Sequence, residues 1–254
     1  MNPLSVVPVG LMLILLGSLT FKRINTPVLG HQHALQGKAS SIALSGIFLT
    51  LAYFLLLPPV YLAVDSLMPL TNATDLVSKY FVLVAVAFLG GHVSRAYDSL
   101  SARRWTVGEP GAVMLGIVAA GLLWTLLAAE TANPSPQLLD YARQPSVRLN
   151  TWLVLAYVAY VVFPLIKPAY RDACRNPLKV GRLASGLIAS GFALSLMRAF
   201  TYPLELGATG DAIYVFMIVS YISTAFVVVG LALFAYARKH RKPQTELGSL
   251  LSID

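Results

Sequence analysis

Cysteine is almost absent. Cys174 is the single one in 254 residues, so no intramolecular disulfide, Cys-rich zinc site or Cys-x-x-Cys redox pair is open to this chain. Charge is scarce as well: Asp, Glu, Lys and Arg make up 12% of the residues. The acids Asp65, Asp75, Asp98, Glu109, Glu130, Glu205 and Asp211 fall at expected helix ends or connections, which disfavours a proton pump built on a buried carboxylate relay. Of the four histidines only His92 falls inside an apolar run, and that excludes a bis-histidine haem held within the membrane by one chain. His31-Gln32-His33 has no carboxylates beside it to complete a metal cage. The last apolar run holds no lysine before Lys239, which leaves a retinal Schiff base nowhere to form. His-Glu-x-x-His, Gly-x-Ser-x-Gly and a phosphate-binding glycine loop are all missing. The residues therefore point to no catalytic activity, no cofactor and no metal.

What is present is apolar length. Hydrophobic residues make up 57% of the chain and gather into seven runs, near 4–21, 39–64, 76–94, 111–129, 149–166, 183–202 and 212–237, each close to the roughly 20 residues a bilayer crossing needs. The expected fold is all-α, a polytopic membrane protein with seven transmembrane helices. Fifteen of the nineteen Lys and Arg residues lie in the first, third and fifth connections and beyond the last run. By the positive-inside rule the N-terminus is expected outside and the C-terminus in the cytoplasm. The first run has no basic leader before it, and Lys22 and Arg23 follow it, so it reads as a retained helix rather than a cleaved signal. Residues 1–237 then form one transmembrane domain and 238–254 a short basic cytoplasmic tail, with no connection long enough to hide a soluble domain. The net charge of +8 follows from this topology and requires no nucleic acid. The expected location is the plasma membrane, with multiple passes through the lipid bilayer.

Proline and glycine punctuate the ends of the runs, and Pro58-Pro59 and Pro164 are expected to bend the second and fifth helices. Ala112, Gly116 and Ala120 in the fourth run, and Gly186 with Ser190 and Ala189 with Ala193 in the sixth, recur at four-residue spacing. Such stripes let helices approach closely, and these two are expected to pack within the bundle. Asn25 through Gly30 echoes Asn176 through Gly181, and Ser45-Gly46 echoes Ser185-Gly186. Parallel three-helix repeats around a central helix and chance reuse of loop residues explain this echo equally well. Asn72-Ala73-Thr74 matches a glycosylation acceptor, with chance the favoured explanation.

Arg198 is the one cation within the sixth run. Ser195, Arg198 and Tyr202 share a helix face. Ser220, Ser223 and Thr224 match them from the seventh helix, with Asp211 and Tyr214 near its outer end, outlining a candidate ligand pocket that opens outward. The plainer reading is that Arg198 reaches the outer headgroups while the hydroxyls bond neighbouring helices. Arg95 and Asp98 are expected to form a surface ion pair at i, i+3. Lys167, Arg171, Arg175, Lys179 and Arg182, with Arg238, Lys239, Arg241 and Lys242, form a basic cytoplasmic face. It suits anionic lipid headgroups or an acidic segment of a cytoplasmic or membrane protein partner.

Leu57-Pro58-Pro59-Val60 followed by an aspartate, Thr71-Asn72-Ala73-Thr74-Asp75, and Gly181-Arg182-Leu183-Ala184-Ser185-Gly186-Leu187 leading to Gly191 resemble segments of a group of actinobacterial seven-helix membrane proteins. The resemblance covers most of the chain through short motifs. It implies the seven-helix fold, leaves open a sensory role within a group of uncharacterised function, and lends no catalytic residues. The leading expectation is a receptor-like or regulatory membrane protein that senses an external or membrane ligand and couples to a partner. A small-molecule or lipid transporter built on parallel repeats is the rival, and an accessory subunit of a membrane complex is the third.

Overall fold

The computed structural model describes residues 3–24, 33–203 and 212–239, with side chains described for 10–20, 41–203 and 218–237. Every regular element among them is helical: α1 (Pro3–Ile24), α2 (His33–Leu55), α3 (Pro58–Asp65), α4 (Ala73–Ala96), α5 (Leu100–Val107), α6 (Glu109–Leu127), a 3-10 segment (Pro136–Tyr141), α7 (Pro145–Arg175), α8 (Lys179–Thr201) and α9 (Ala212–Lys239). Among the described residues five helices are long and apolar enough to cross a membrane, counting α5 and α6 as one, or six if the bent pair α2 and α3 forms a single span. The α1 helix adds an apolar stretch, Gly10–Thr20.

Helix ends depart from the ends of the apolar runs for local reasons. The second run is not one bent helix: its two halves meet at 86°. Pro58 cannot donate to the α2 ladder, and it pushes the residue before it out of the helical region. Leu57 accordingly sits at φ −66, ψ 124. By contrast α7 continues through Pro164 and Pro168 and well past the fifth run, because Lys, Arg and Ala support a helix until Asn176, held extended before Pro177, ends it. Lys167, Arg171 and Arg175 thus ride on a helix instead of a loop.

Consecutive helices pack side by side, and α1 closes the set by touching both α2 and α9. α4 touches α2, α3, α5, α6 and α7. One apolar core forms around Leu83, Leu122, Tyr157 and Val161, and a second around Val93, Leu165, Ile188, Phe192 and Val227. Ile117, Trp124, Phe163 and Phe200 point outward, as side chains that face acyl chains would. Close approach uses different glycines from those expected. A Cβ on Gly191 would lie 2.9 Å from the Ser223 carbonyl oxygen, and one on Gly230 would lie 2.8 Å from that of Ala184, so α8 and α9 meet backbone to backbone there. Ala112, Gly116 and Ala120 lie instead on the exposed face of α6, and nothing stands within 4 Å of a Cβ placed on Gly116. The spacing of small residues marked a stripe without saying which way it faces.

Candidate functional site

Two polar knots, one buried and one half-buried, lie at opposite ends of the same two helices. The first begins with α3, whose 86° turn carries Tyr61 and Asp65, one helical turn apart, onto the start of α4. Asn72 precedes α4 in the left-handed region, at φ 65, and its side chain does not cap the helix. Asp65 does so from outside: its carboxylate accepts the Asn72 N–H at 2.9 Å and the Thr74 N–H at 3.1 Å. A negative group at a helix N-terminus satisfies donors that have no partner within the helix. Asn72, freed from capping, accepts from the Tyr61 hydroxyl at 2.8 Å and from the Ser135 N–H at 2.7 Å, and donates to the Asn133 carbonyl at 3.2 Å. That ties the connection between α6 and α7 down onto α4.

One turn further along α4, the Lys79 ammonium sits 2.5 Å from Asp75 and donates to Asn150 on α7 at 2.6 Å. Asn150 in turn donates to Thr125 at 2.7 Å and to the Leu122 carbonyl at 3.0 Å, both on α6. Asp65 and Asp75 are only 4% and 2% exposed. Buried charge persists when it is paired or well hydrogen-bonded: Asp75 is paired with Lys79, and Asp65 accepts two backbone N–H groups at the start of α4. One atom is left over, since the Thr74 hydroxyl oxygen is buried without a hydrogen-bond partner.

The second knot closes the other end. Tyr97, just past α4, donates to Ser185 of α8 at 3.1 Å, and Ser185 donates to Asp172 of α7 at 2.5 Å. Asn176 donates to both oxygens of Asp172 and accepts the Leu178 N–H at 3.0 Å, turning the chain into α8. Burial pushes the Tyr97 hydroxyl up to about 12, against the lowering effect of its bond to Ser185, so it stays protonated and a donor at neutral pH. Its ring packs edge-on against Phe234 of α9. Cys174, exposed, lies between Asp172 and Asn176.

The residues singled out from sequence are partly brought together. Ser195 and Ser223 meet at 2.6 Å, and Ser223 also donates to the Gly191 carbonyl at 2.8 Å. Arg198 lies over the Tyr202 ring at 5.3 Å and is 6% exposed, so it is enclosed rather than extended toward headgroups. Thr224 donates to the Ser220 carbonyl in its own helix. Asp211 and the side chain of Tyr214 lie outside the described residues, as do Arg241, Lys242 and the side chains of Arg238 and Lys239. Lys167, Arg171, Arg175, Lys179 and Arg182 are all exposed. Arg95 bonds Ser41 and the Gly91 carbonyl, not Asp98, and Asp75–Lys79 is the only ion pair among the described residues. Asn72, fully buried, is no accessible glycosylation acceptor as folded.

Sequence reasoning passed over both knots, treating Asp65 and Asp75 as helix-end acids. Two signals pointed to the first: Asp75 and Lys79 stand at i, i+4, and Lys79 is one of the four cations that break the charge bias, with Arg143, Arg148 and Arg198. The enclosed members of that minority, Lys79 and Arg198, are the ones held inside the bundle. No protein family, curated protein or solved structure matches this chain.

Proposed function

We propose that the chain is a receptor-like or regulatory protein of the plasma membrane that crosses the bilayer seven times, with its N-terminus outside and its C-terminus in the cytoplasm. In this reading α1 is the seventh crossing and the first knot lies at the outer side. Arg198 and the serines beside it stand toward the same side. The exposed basic residues of α7 and α8 then face anionic headgroups or an acidic partner segment in the cytoplasm.

The observation that carries the reading is that α4, with Tyr97 at its C-terminal cap, and α7 each link the two knots. Asp75 on α4 and Tyr97 just past its end are twenty-two positions apart, and so are Asn150 and Asp172 on α7, which separates the knots by ~33 Å along the helix axes. A ligand that rearranges the outer knot displaces the same two helices whose far ends meet at Ser185, and a packed bundle passes such a shift on as a change of contacts. The test uses the native cysteine. A polarity-sensitive fluorophore on Cys174, in protein reconstituted in nanodiscs, is expected to change emission when Asp75→Asn or Lys79→Met loosens the outer knot, and to stay constant for Ile117→Val on the lipid face. Emission that ignores both outer substitutions would sink the coupling.

A transporter is the second reading, favoured by the broken second span beside buried charges. Its parallel-repeat form finds less support. Ser45 and Ser185, equivalent in the echo, take inequivalent partners: Ser45 donates to the Ala85 carbonyl of α4, and Ser185 reaches back to α7.

A further inference from the structure

The stretch from Leu51 to Leu70 contains one charged residue, Asp65, and that one points inward at 4% exposure. Apart from Ser66, whose hydroxyl donates to the Ala63 carbonyl, what faces outward is apolar: Leu51 and Phe54 on α2, then, round the 86° corner, Leu62 on α3 and Leu67 and Met68 after it, with Leu67 85% exposed. A short helix in water carries polar side chains on its outer face, whereas here the charged side is inside and the apolar side outside. In the seven-crossing reading α2 runs along a crossing, and a segment turned 86° from it then lies in the bilayer plane at the level where that crossing ends. An amphipathic helix in that position seats its apolar face at the boundary between headgroups and acyl chains. The apolar surface also continues along the chain from the lipid-facing side of α2, which commits the occupant to lipid rather than to a second protein.

The opposite face of the same two-turn helix holds the first knot. Tyr61 bonds Asn72, and Asp65 caps α4 through the Asn72 and Thr74 amides. We propose that α3 is an interfacial lever: phospholipid acyl chains of the adjoining leaflet hold Leu62 on its outer face and Leu67 and Met68 just after it, and their packing sets whether Tyr61 and Asp65 keep the knot closed. This deepens the receptor reading by naming the stimulus as the lipid of one leaflet, and it rests on that reading for taking α2 as a crossing and for calling that leaflet the outer one.

Two measurements test it, in nanodiscs of phosphatidylcholine. With Cys174→Ser as background, a bimane on Leu67→Cys is expected to be quenched by phospholipid carrying a nitroxide high on its acyl chain, and not by aqueous iodide. Quenching by iodide alone would show a water-facing helix and overturn the proposal, and so would protection from both quenchers, which would mean that protein covers the face. In the unlabelled native chain, adding lysophosphatidylcholine to loosen packing is expected to speed hydrogen exchange of the Asn72 and Thr74 amides about tenfold, the factor that corresponds to losing one or two net hydrogen bonds. The same lipid is expected to leave α8 unchanged. Exchange at Asn72 and Thr74 indifferent to lipid would overturn the lever even if the bimane result held. Neither outcome depends on the Cys174 fluorophore, so failure of the lever and failure of the coupling between knots are separately visible.

Discussion

Asp75 and Lys79 show how charge survives inside an apolar bundle: each neutralises the other, and Asn150 supplies the dipole that the pair cannot supply for itself. Breaking such a pair from one side is costlier than removing it whole, because the remaining charge is left buried. Lys79→Met is therefore expected to lower stability by about 3 kcal/mol, and the double change Asp75→Asn with Lys79→Met to restore most of it. Denaturation of the single and double variants in one lipid composition checks this, and additive losses would mean the two residues do not act as a pair. Thr74 is the opposite case. Its hydroxyl is buried without a partner, so Thr74→Val, which keeps the shape and removes the polar atom, is expected to raise stability by about 1 kcal/mol. A loss of stability on that substitution would show that the hydroxyl is satisfied in the membrane.

Among the elements, α8 and α9 owe their contact to glycine. Gly191→Val places methyl groups against the backbone of α9 at Ser223 and Val227 and is expected to cost about 1–3 kcal/mol through overpacking. Gly116→Val, on the open face of α6, is expected to cost nothing measurable or to stabilise its helix slightly. Thermal unfolding of the two variants side by side separates a packed glycine from one facing lipid, and equal losses would place α6 in a contact of its own. The same pair shows what is legible locally. Small residues four apart are visible in any sequence, but the direction of their face depends on neighbours that helical periodicity does not name. The 86° corner at Leu57 was legible as a proline pair, and its size was not, because proline removes a bond while the neighbouring helices set the angle.

At the scale of the whole molecule, the distribution of Lys and Arg predicts which end of the bundle faces the cytoplasm. Cys174 makes that checkable without altering the chain: a membrane-impermeant maleimide is expected to label it only after cells are opened, since it stands among the exposed cations in the last turns of α7. Labelling in intact cells would invert the orientation and move the first knot to the cytoplasmic side. The same reversal would reassign the acyl chains against α3 to the inner leaflet while leaving the lever itself in place.

The sequence by itself determined that this chain is helical and apolar over crossing lengths, and where the cations collect, because bilayer thickness and the cost of moving charge through it act on composition alone. Asp65, Asn72, Asp75, Lys79 and Asn150 were each visible as polar residues near run ends. That they form one knot was decided only by tertiary structure. Asn72 and Asn150 are seventy-eight positions apart, and whether a polar side chain near a helix end meets water or another helix depends on which helix is packed there. The turn of α3 and the seating of α4 between α6 and α7 bring these groups together, and sequence periodicity carries no term for either.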